Sequence, residues 1–309
     1  MALLGLHHLH LRVSNMTAMR AFTADFGLVE TSEQEGRVYL RGAGQAAYHV
    51  VLEEAAESAL AGIAFEVDGD GDLERAIQDF GASGRHPLYG PGGGVAVDLV
   101  DPEGLRVSLV TGIKGRQPDA LPPSMIFNQG RDKTRQGVFQ QKVPLGPPSL
   151  LRLGHVGLFI RDWQACDHWY REVLGLIPSD LLFAGPPQNV VGGFYRIDRG
   201  QEWVDHHCVA FFQMGKSDLH HASFEVQNPE VQFLAHRWLQ QRAHEGIWGV
   251  GRHPLGSHVF DVWRTPSGHR FETFSDTDVL NADQPTERHP IAEAQMDLWS
   301  DKHVDAYFA

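Results

Sequence analysis

Cysteine is nearly absent from this chain of 309 residues: only Cys166 and Cys208 occur. Two cysteines exclude a disulfide-stapled scaffold and suit a reducing compartment, so a cytoplasmic protein is expected. Positive charge is also scarce. Lys and Arg number 26 against 39 Asp and Glu, a formal net charge of -13. A nucleic-acid groove or an anionic-membrane surface needs excess basic residues, so neither partner is expected. No apolar run reaches the roughly 18 residues that span a bilayer, and Met1 to Val13 lacks the basic stretch that opens a secretory signal. The glycine-rich run from Gly90 to Gly94 has neither the lysine nor the helix start of a phosphate loop. What the chain has in quantity is histidine, 18 residues in all.

The sequence repeats a pattern. Leu6 to Val13 reads as a strand, followed by a helix-like Met16–Phe26 that stops at Gly27; Leu153 to Ile160 is followed in the same way by Trp163–Leu174 and Gly175. Gly62 to Val67 resembles His221 to Val226. The segment Val97 to Gly104 resembles Asp261 to Gly268, each carrying Pro-x-Gly turn chemistry, in which Pro fixes φ and Gly tolerates φ > 0. These pairings predict an α+β fold of two modules, 1–112 and 151–276, each built of paired βαβββ units with curved mixed sheets. A polar linker rich in Pro, Gly and Gln is expected over 113–150. A tail with Trp299, Tyr307 and Phe308 follows over 277–309, expected to pack onto a module or a neighbouring subunit.

Strand alternation sorts the histidines by face. In Leu153 to Ile160 the set Val156, Leu158 and Ile160 shares the helix-facing side, which leaves His155 on the other. In the strand after Asp218, His220 is expected on the core side with Ala222 and Phe224, and His221 opposite with Ser223 and Glu225. Glu272 alternates with Phe271 and Thr273. Three strands of one module thus each offer one ligand-type residue, His155, His221 and Glu272. Two imidazoles and a carboxylate suit a divalent iron centre, with manganese also compatible, and leave positions for substrate and oxygen. The repeat aligns these three with His7, Gly62 and Ser108, so the first module is expected to bind no metal. His207 and His253 lie near the triad in sequence pattern and are candidates for proton transfer or hydrogen bonding.

With these residues in view, the chain resembles the type I extradiol ring-cleavage dioxygenases of the vicinal-oxygen-chelate superfamily. The resemblance spans roughly 1–276. It rests on Leu153-Gly154-His155-Val156, on His220-His221-Ala222-Ser223-Phe224, and on the run from Gly251-Arg252-His253 through Thr265-Pro266-Ser267-Gly268 to Glu272. It implies two vicinal-oxygen-chelate modules, the first degenerate. It further implies a cytoplasmic, homo-oligomeric enzyme that holds Fe(II) through His155, His221 and Glu272 and cleaves a catechol-type substrate with both atoms of O2, in aromatic-compound degradation. His207 would then move a proton and His253 would hydrogen-bond a substrate hydroxyl. The family usually has a Tyr four residues before the hairpin Pro, where this chain has Val262, so Tyr195 is a candidate substitute. Arg252 and Arg196 are candidates for a substrate carboxylate, and Cys208 is expected to be packing. A metal-dependent glyoxalase- or epimerase-like lyase on the same fold and a metal-free ligand-binding protein are the competing readings.

Overall fold

The computed structural model describes residues 1–123, 126–137, 145–293 and 295–308; the remainder, including parts of the linker, lies outside the described residues. The first half contains β1 (Leu3–Val13), α1 (Met16–Phe26), β2 (Val29–Gln34), β3 (Arg37–Arg41) and β4 (Val50–Glu54). A second unit follows: β5 (Ala59–Val67), α2 (Asp70–Phe80), β6 (His86–Pro87), β7 (Val95–Val100) and β8 (Arg106–Thr111). The second half opens with β9 (Leu153–Ile160), α3 (Trp163–Leu174), β10 (Ile177–Phe183), β11 (Val190–Arg196), β12 (Val204–Asp205) and β13 (Val209–Gln213). It continues with β14 (Asp218–Glu225), α4 (Pro229–Gln241), β15 (Gly251–Arg252), β16 (Val259–Arg264) and β17 (Arg270–Ser275). The tail supplies β18 (Val279–Leu280), β19 (Glu287–Pro290) and the short α5 (Asp305–Phe308).

The two large sheets have one topology. The first runs β2-β3-β4-β1-β5-β8-β7-β6, and the second runs β10-β11-β13-β9-β14-β17-β16-β15, with β19 added beside β10. In each, two βαβββ units meet through an antiparallel central pair, β1 with β5 and β9 with β14. The helices follow from local signals. Asn15 caps α1 by accepting from the Ala18 amide, Asp162 caps α3 by accepting from the Ala165 amide, and Gly27 and Gly175 close them at φ of 105° and 75°. Met19, Phe22 and Phe26 of α1 and Cys166, Tyr170 and Val173 of α3 turn into a core continuous across both modules. The two Pro-x-Gly turns match as well, with Gly104 and Gly268 both at φ 85°.

Two sequence expectations are corrected by register. A shift between Leu219 and His221 in the pairing of β14 with β9 carries His220 off the core face, while Leu219, Ala222 and Phe224 stay in the core. His220 instead packs against Phe159, Phe212, Tyr307 and Phe308, on the same side as His221. In the first module, His8 rather than His7 is the counterpart of His155: His8 opposes Ala64, which pairs with Ser108, just as His155 opposes Ser223, which pairs with Glu272. A bulge between Leu6 and His8 makes that one-residue difference.

Candidate metal centre

β9, β14 and β17 are neighbours at the middle of the second sheet, and each turns one of the three residues to the same side. One ligand atom from each of His155, His221 and Glu272 lies within 4.8 Å of the others, and all three are buried. The His155 Nε2 to Glu272 Oε1 distance is 3.3 Å. Ser223, cross-strand from both His155 and Glu272, donates its hydroxyl to Glu272 Oε1 at 2.6 Å. Gly157 is glycine for a steric reason, since a Cβ there would sit 2.4 Å from His221 Cε1. Burial by itself would raise the Glu272 pKa, but the adjoining His221 and His155 rings more than offset it and hold the carboxyl below its ordinary range. Burial lowers His221 to about 3, so it is the neutral, ligating form. His221 Nδ1 shares a hydrogen bond of 2.7 Å with His220 Nδ1, which leaves His221 Nε2 as its free nitrogen. His155 Nδ1 has no hydrogen-bond partner. Two imidazoles and a charged carboxylate in a buried site are a fitting donor set for a divalent iron or manganese ion.

A ring of polar groups surrounds this cluster. His207 lies with its ring centroid 4.2 Å from that of His155. Its Nδ1 meets His206 Nδ1 at 3.0 Å, His206 Nε2 meets Asp180 Oδ2 at 2.7 Å, and Asp180 Oδ1 receives His289 Nε2 at 2.9 Å. Burial would raise the Asp180 pKa, but the bonds from His206 and His289 dominate and lower it, so Asp180 accepts from both rings. With its Nε2–H given to Asp180, His206 has Nδ1 left to accept from His207 Nδ1–H, the arrangement that places the lone pair of His207 on Nε2. Burial and the surrounding imidazoles hold the His207 pKa well below its usual value. His253 donates Nδ1–H to the Met296 carbonyl at 2.7 Å and stacks on Phe260 at 3.8 Å, so its Nε2 also carries a lone pair.

Sequence reasoning missed three members of the site. Tyr307, from the tail, donates its hydroxyl to Glu272 Oε2 at 3.2 Å; burial and the Glu272 charge push its pKa well up, which keeps it a donor. His258 lies 5.2 Å from His155 and 4.9 Å from His207, centroid to centroid. Asp180 acts through His206. The expectation that the tail with Tyr307 packs onto a module pointed toward one of them, without placing it at Glu272.

Other expectations are corrected. Tyr195 is not at the site: alternation along β11 turns Phe194 toward His207, while the Tyr195 hydroxyl donates to Asp167 at 2.8 Å and accepts from Trp163 Nε1. Arg252 is committed to the Ser257 carbonyl at 2.7 Å and to Asp276 at 2.6 Å. Arg196 is fully buried and bonds the carbonyls of Pro178 and Gln284. Neither guanidinium lines the cavity described below. Val262 sits cross-strand from Glu272 but packs among Trp248, Phe260 and Tyr307 rather than facing the cavity. Cys208, by contrast, packs in the core as expected, and burial pushes its thiol pKa up.

At the matching place in the first module, Arg106 lies against Gly62, its Nε 3.0 Å from where a Cβ would stand, and Nη2 meets His10 Nδ1 at 2.8 Å. Ser108 donates to Asp98 at 2.5 Å. Among the described residues, both groups able to hold a cation lie in the second module.

Residues 152–273 match the Glyoxalase/Bleomycin resistance protein/Dioxygenase superfamily. The chain is 30% identical over 220 residues to metapyrocatechase 2 of Cupriavidus necator, a match covering 70% of this chain and 64% of that relative. The matched region thus spans under two thirds of the relative's length. The fold agrees with the Mn(II)-bound glyoxalase of Novosphingobium aromaticivorans at a TM-score of 0.77 and 22% identity, over 97% of this chain and 91% of that one. It agrees equally with homoprotocatechuate 2,3-dioxygenase of Brevibacterium fuscum at 0.77 and 20% identity, over 99% and 92%. The second half of the chain is thus similar to this superfamily, and the whole chain shares the fold of these two structures.

Within this fold, a cavity of about 270 Å³ opens over the cluster. His155, His207, His221 and His253 form its polar end. Leu182, Val191, Phe194, Leu255, Ile291 and Phe308 make most of its wall apolar. Its outer side is built by the tail: β19 extends the sheet beside β10, and α5 brings Tyr307 and Phe308 over His220.

Proposed function

We propose that the protein is an Fe(II)-dependent extradiol dioxygenase that opens the ring of a catechol-type substrate with O2. The observation that carries this reading is the convergence of His155, His221 and Glu272 beside two imidazoles, His207 and His253, whose Nε2 lone pairs are fixed by their own hydrogen bonds. The resemblance to metapyrocatechase 2 and to homoprotocatechuate 2,3-dioxygenase supports it. His155, His221 and Glu272 would hold the iron, or manganese on the same donors, and the ion would supply Lewis-acid and redox chemistry to a catechol and O2.

The rest is done by the chain's own side chains. His253 Nε2 accepts from a substrate hydroxyl and steadies the oxygen as its proton leaves. His207 Nε2 takes up a proton near the reacting oxygens and returns it, a role worth roughly 10²–10⁴-fold in rate. Tyr307 holds the Glu272 carboxylate in place, and the apolar wall excludes water from the reacting end. No Arg or Lys is among the described residues lining the cavity, so the wall suits a catechol with an uncharged, apolar substituent.

Oxygen uptake by protein loaded anaerobically with Fe(II), followed against catechols with alkyl, aryl and carboxylate substituents, tests the proposal. The expected result is uptake equal to the yellow ring-opened product, highest for apolar substituents. Metal-dependent isomerisation without oxygen uptake would instead support the glyoxalase-like reading.

A further inference from the structure

A second set of imidazoles stands beside the first. His155, His207 and His258 each offer a ring nitrogen, and these atoms lie within 4.8 Å of one another. The three rings pack mutually, with centroids 4.2, 4.9 and 5.2 Å apart. His258 is 1% exposed, and neither of its ring nitrogens has a hydrogen-bond partner. An imidazole buried with both nitrogens unpaired forfeits its hydration without return, and a bound ion is one way to restore it. The turn that delivers it is built for close approach: Gly256, at φ 75°, has no Cβ, and one there would sit within 2.9 Å of the Nδ1 atoms of both His206 and His258. The His253 amide, bonded to the His258 carbonyl at 2.9 Å, fixes the turn from the other end.

We propose that His155, His207 and His258 form a second divalent-cation site, selective for zinc, whose filling switches the enzyme off. Three imidazoles with one position left open are a common zinc arrangement, and the lack of a carboxylate distinguishes this set from the one built on Glu272. The inhibitory consequence rests on the functional reading above. A zinc ion here engages His207 Nε2, the nitrogen assigned to proton transfer, and draws on His155, which belongs to both sets.

Zinc binding is read without turnover, which separates this proposal from the dioxygenase reading. Glu272→Gln and His221→Ala each break the first set and leave the second complete; either serves if the other fails to fold. Equilibrium dialysis against zinc chloride is expected to leave one zinc per chain in both. Adding His258→Phe, which keeps a ring in place and removes both nitrogens, is expected to weaken retention at least tenfold, with the fold checked by circular dichroism. Zinc retention unchanged by His258→Phe overturns the proposal, as does absence of zinc from both single variants.

Discussion

Glu272 is the residue on which the site turns. Its oxygens accept from Ser223 and Tyr307 and face His155, so a charged carboxylate stays in a fully buried place with its hydrogen-bonding capacity used. His207 is different, because it lies outside the triad of His155, His221 and Glu272 and its one side-chain hydrogen bond is to His206. Replacing it by alanine should therefore leave iron content unchanged while lowering turnover by about 10²–10⁴-fold; metal analysis beside oxygen uptake checks this, and normal turnover would remove the role. At this scale the sequence was informative wherever alternation held. His155 and Glu272 follow the period of two along their strands. His220 did not, because a bulge is invisible in a residue pattern. Tyr307 reaches Glu272 from 35 residues further along the chain, and no periodicity announces such a contact.

At the scale of elements, the edge of the second sheet governs how His207 is presented. β10 carries Asp180 and β19 carries His289, and their pairing assembles the chain His289–Asp180–His206–His207. An amide in place of Asp180 can donate to His206 and so reverse the hydrogen-bond direction that puts the His207 lone pair on Nε2. Asp180→Asn should thus lower kcat by about 10-fold or more with little change in KM, in the range seen for groups that orient another residue. Steady-state oxygen uptake measures it, and an unchanged kcat would contradict the orientation argument. α1 and α3 were legible to the residue because their caps are local signals: Asn15 and Gly27, Asp162 and Gly175. β19 was not, since its place depends on a non-local pairing with β10.

For the whole molecule, the two modules share one core. Phe22 and Phe26 of α1 pack on Phe224 and Phe271 of the second module, and Trp238 of α4 donates to the Asp25 carbonyl at 3.0 Å. Calorimetry should accordingly show a single unfolding transition rather than two. Acid should weaken that unit. Burial lowers His7 to about 3 and His49 to about 4, and burial together with Arg106 lowers His10 to about 4, against 6.5 for a free imidazole. The folded chain keeps these rings neutral while the unfolded chain protonates them below 6.5, so stability falls as the pH drops from 6.5 toward 4. These groups lie in the first module, outside the His155, His221 and Glu272 cluster, and the melting temperature should fall over that window with or without added metal. A flat profile between pH 6.5 and 4 would show that the rings are not held neutral. The repeat itself was readable from the sequence because both halves spend the same turn and strand signals in the same order; the one-residue offset at His8 was not, because it arises in pairing.

The central claim is that His155, His221 and Glu272 together hold the iron on which ring cleavage depends. Its most direct test is iron content and catechol-dependent oxygen uptake, measured on the same anaerobically loaded samples of the wild-type protein and Glu272→Ala. The account predicts close to one iron per chain with uptake matched by product in the wild type, and loss of both in the variant. Iron and uptake retained in Glu272→Ala, or a wild-type protein that keeps no iron and consumes no oxygen, would contradict it.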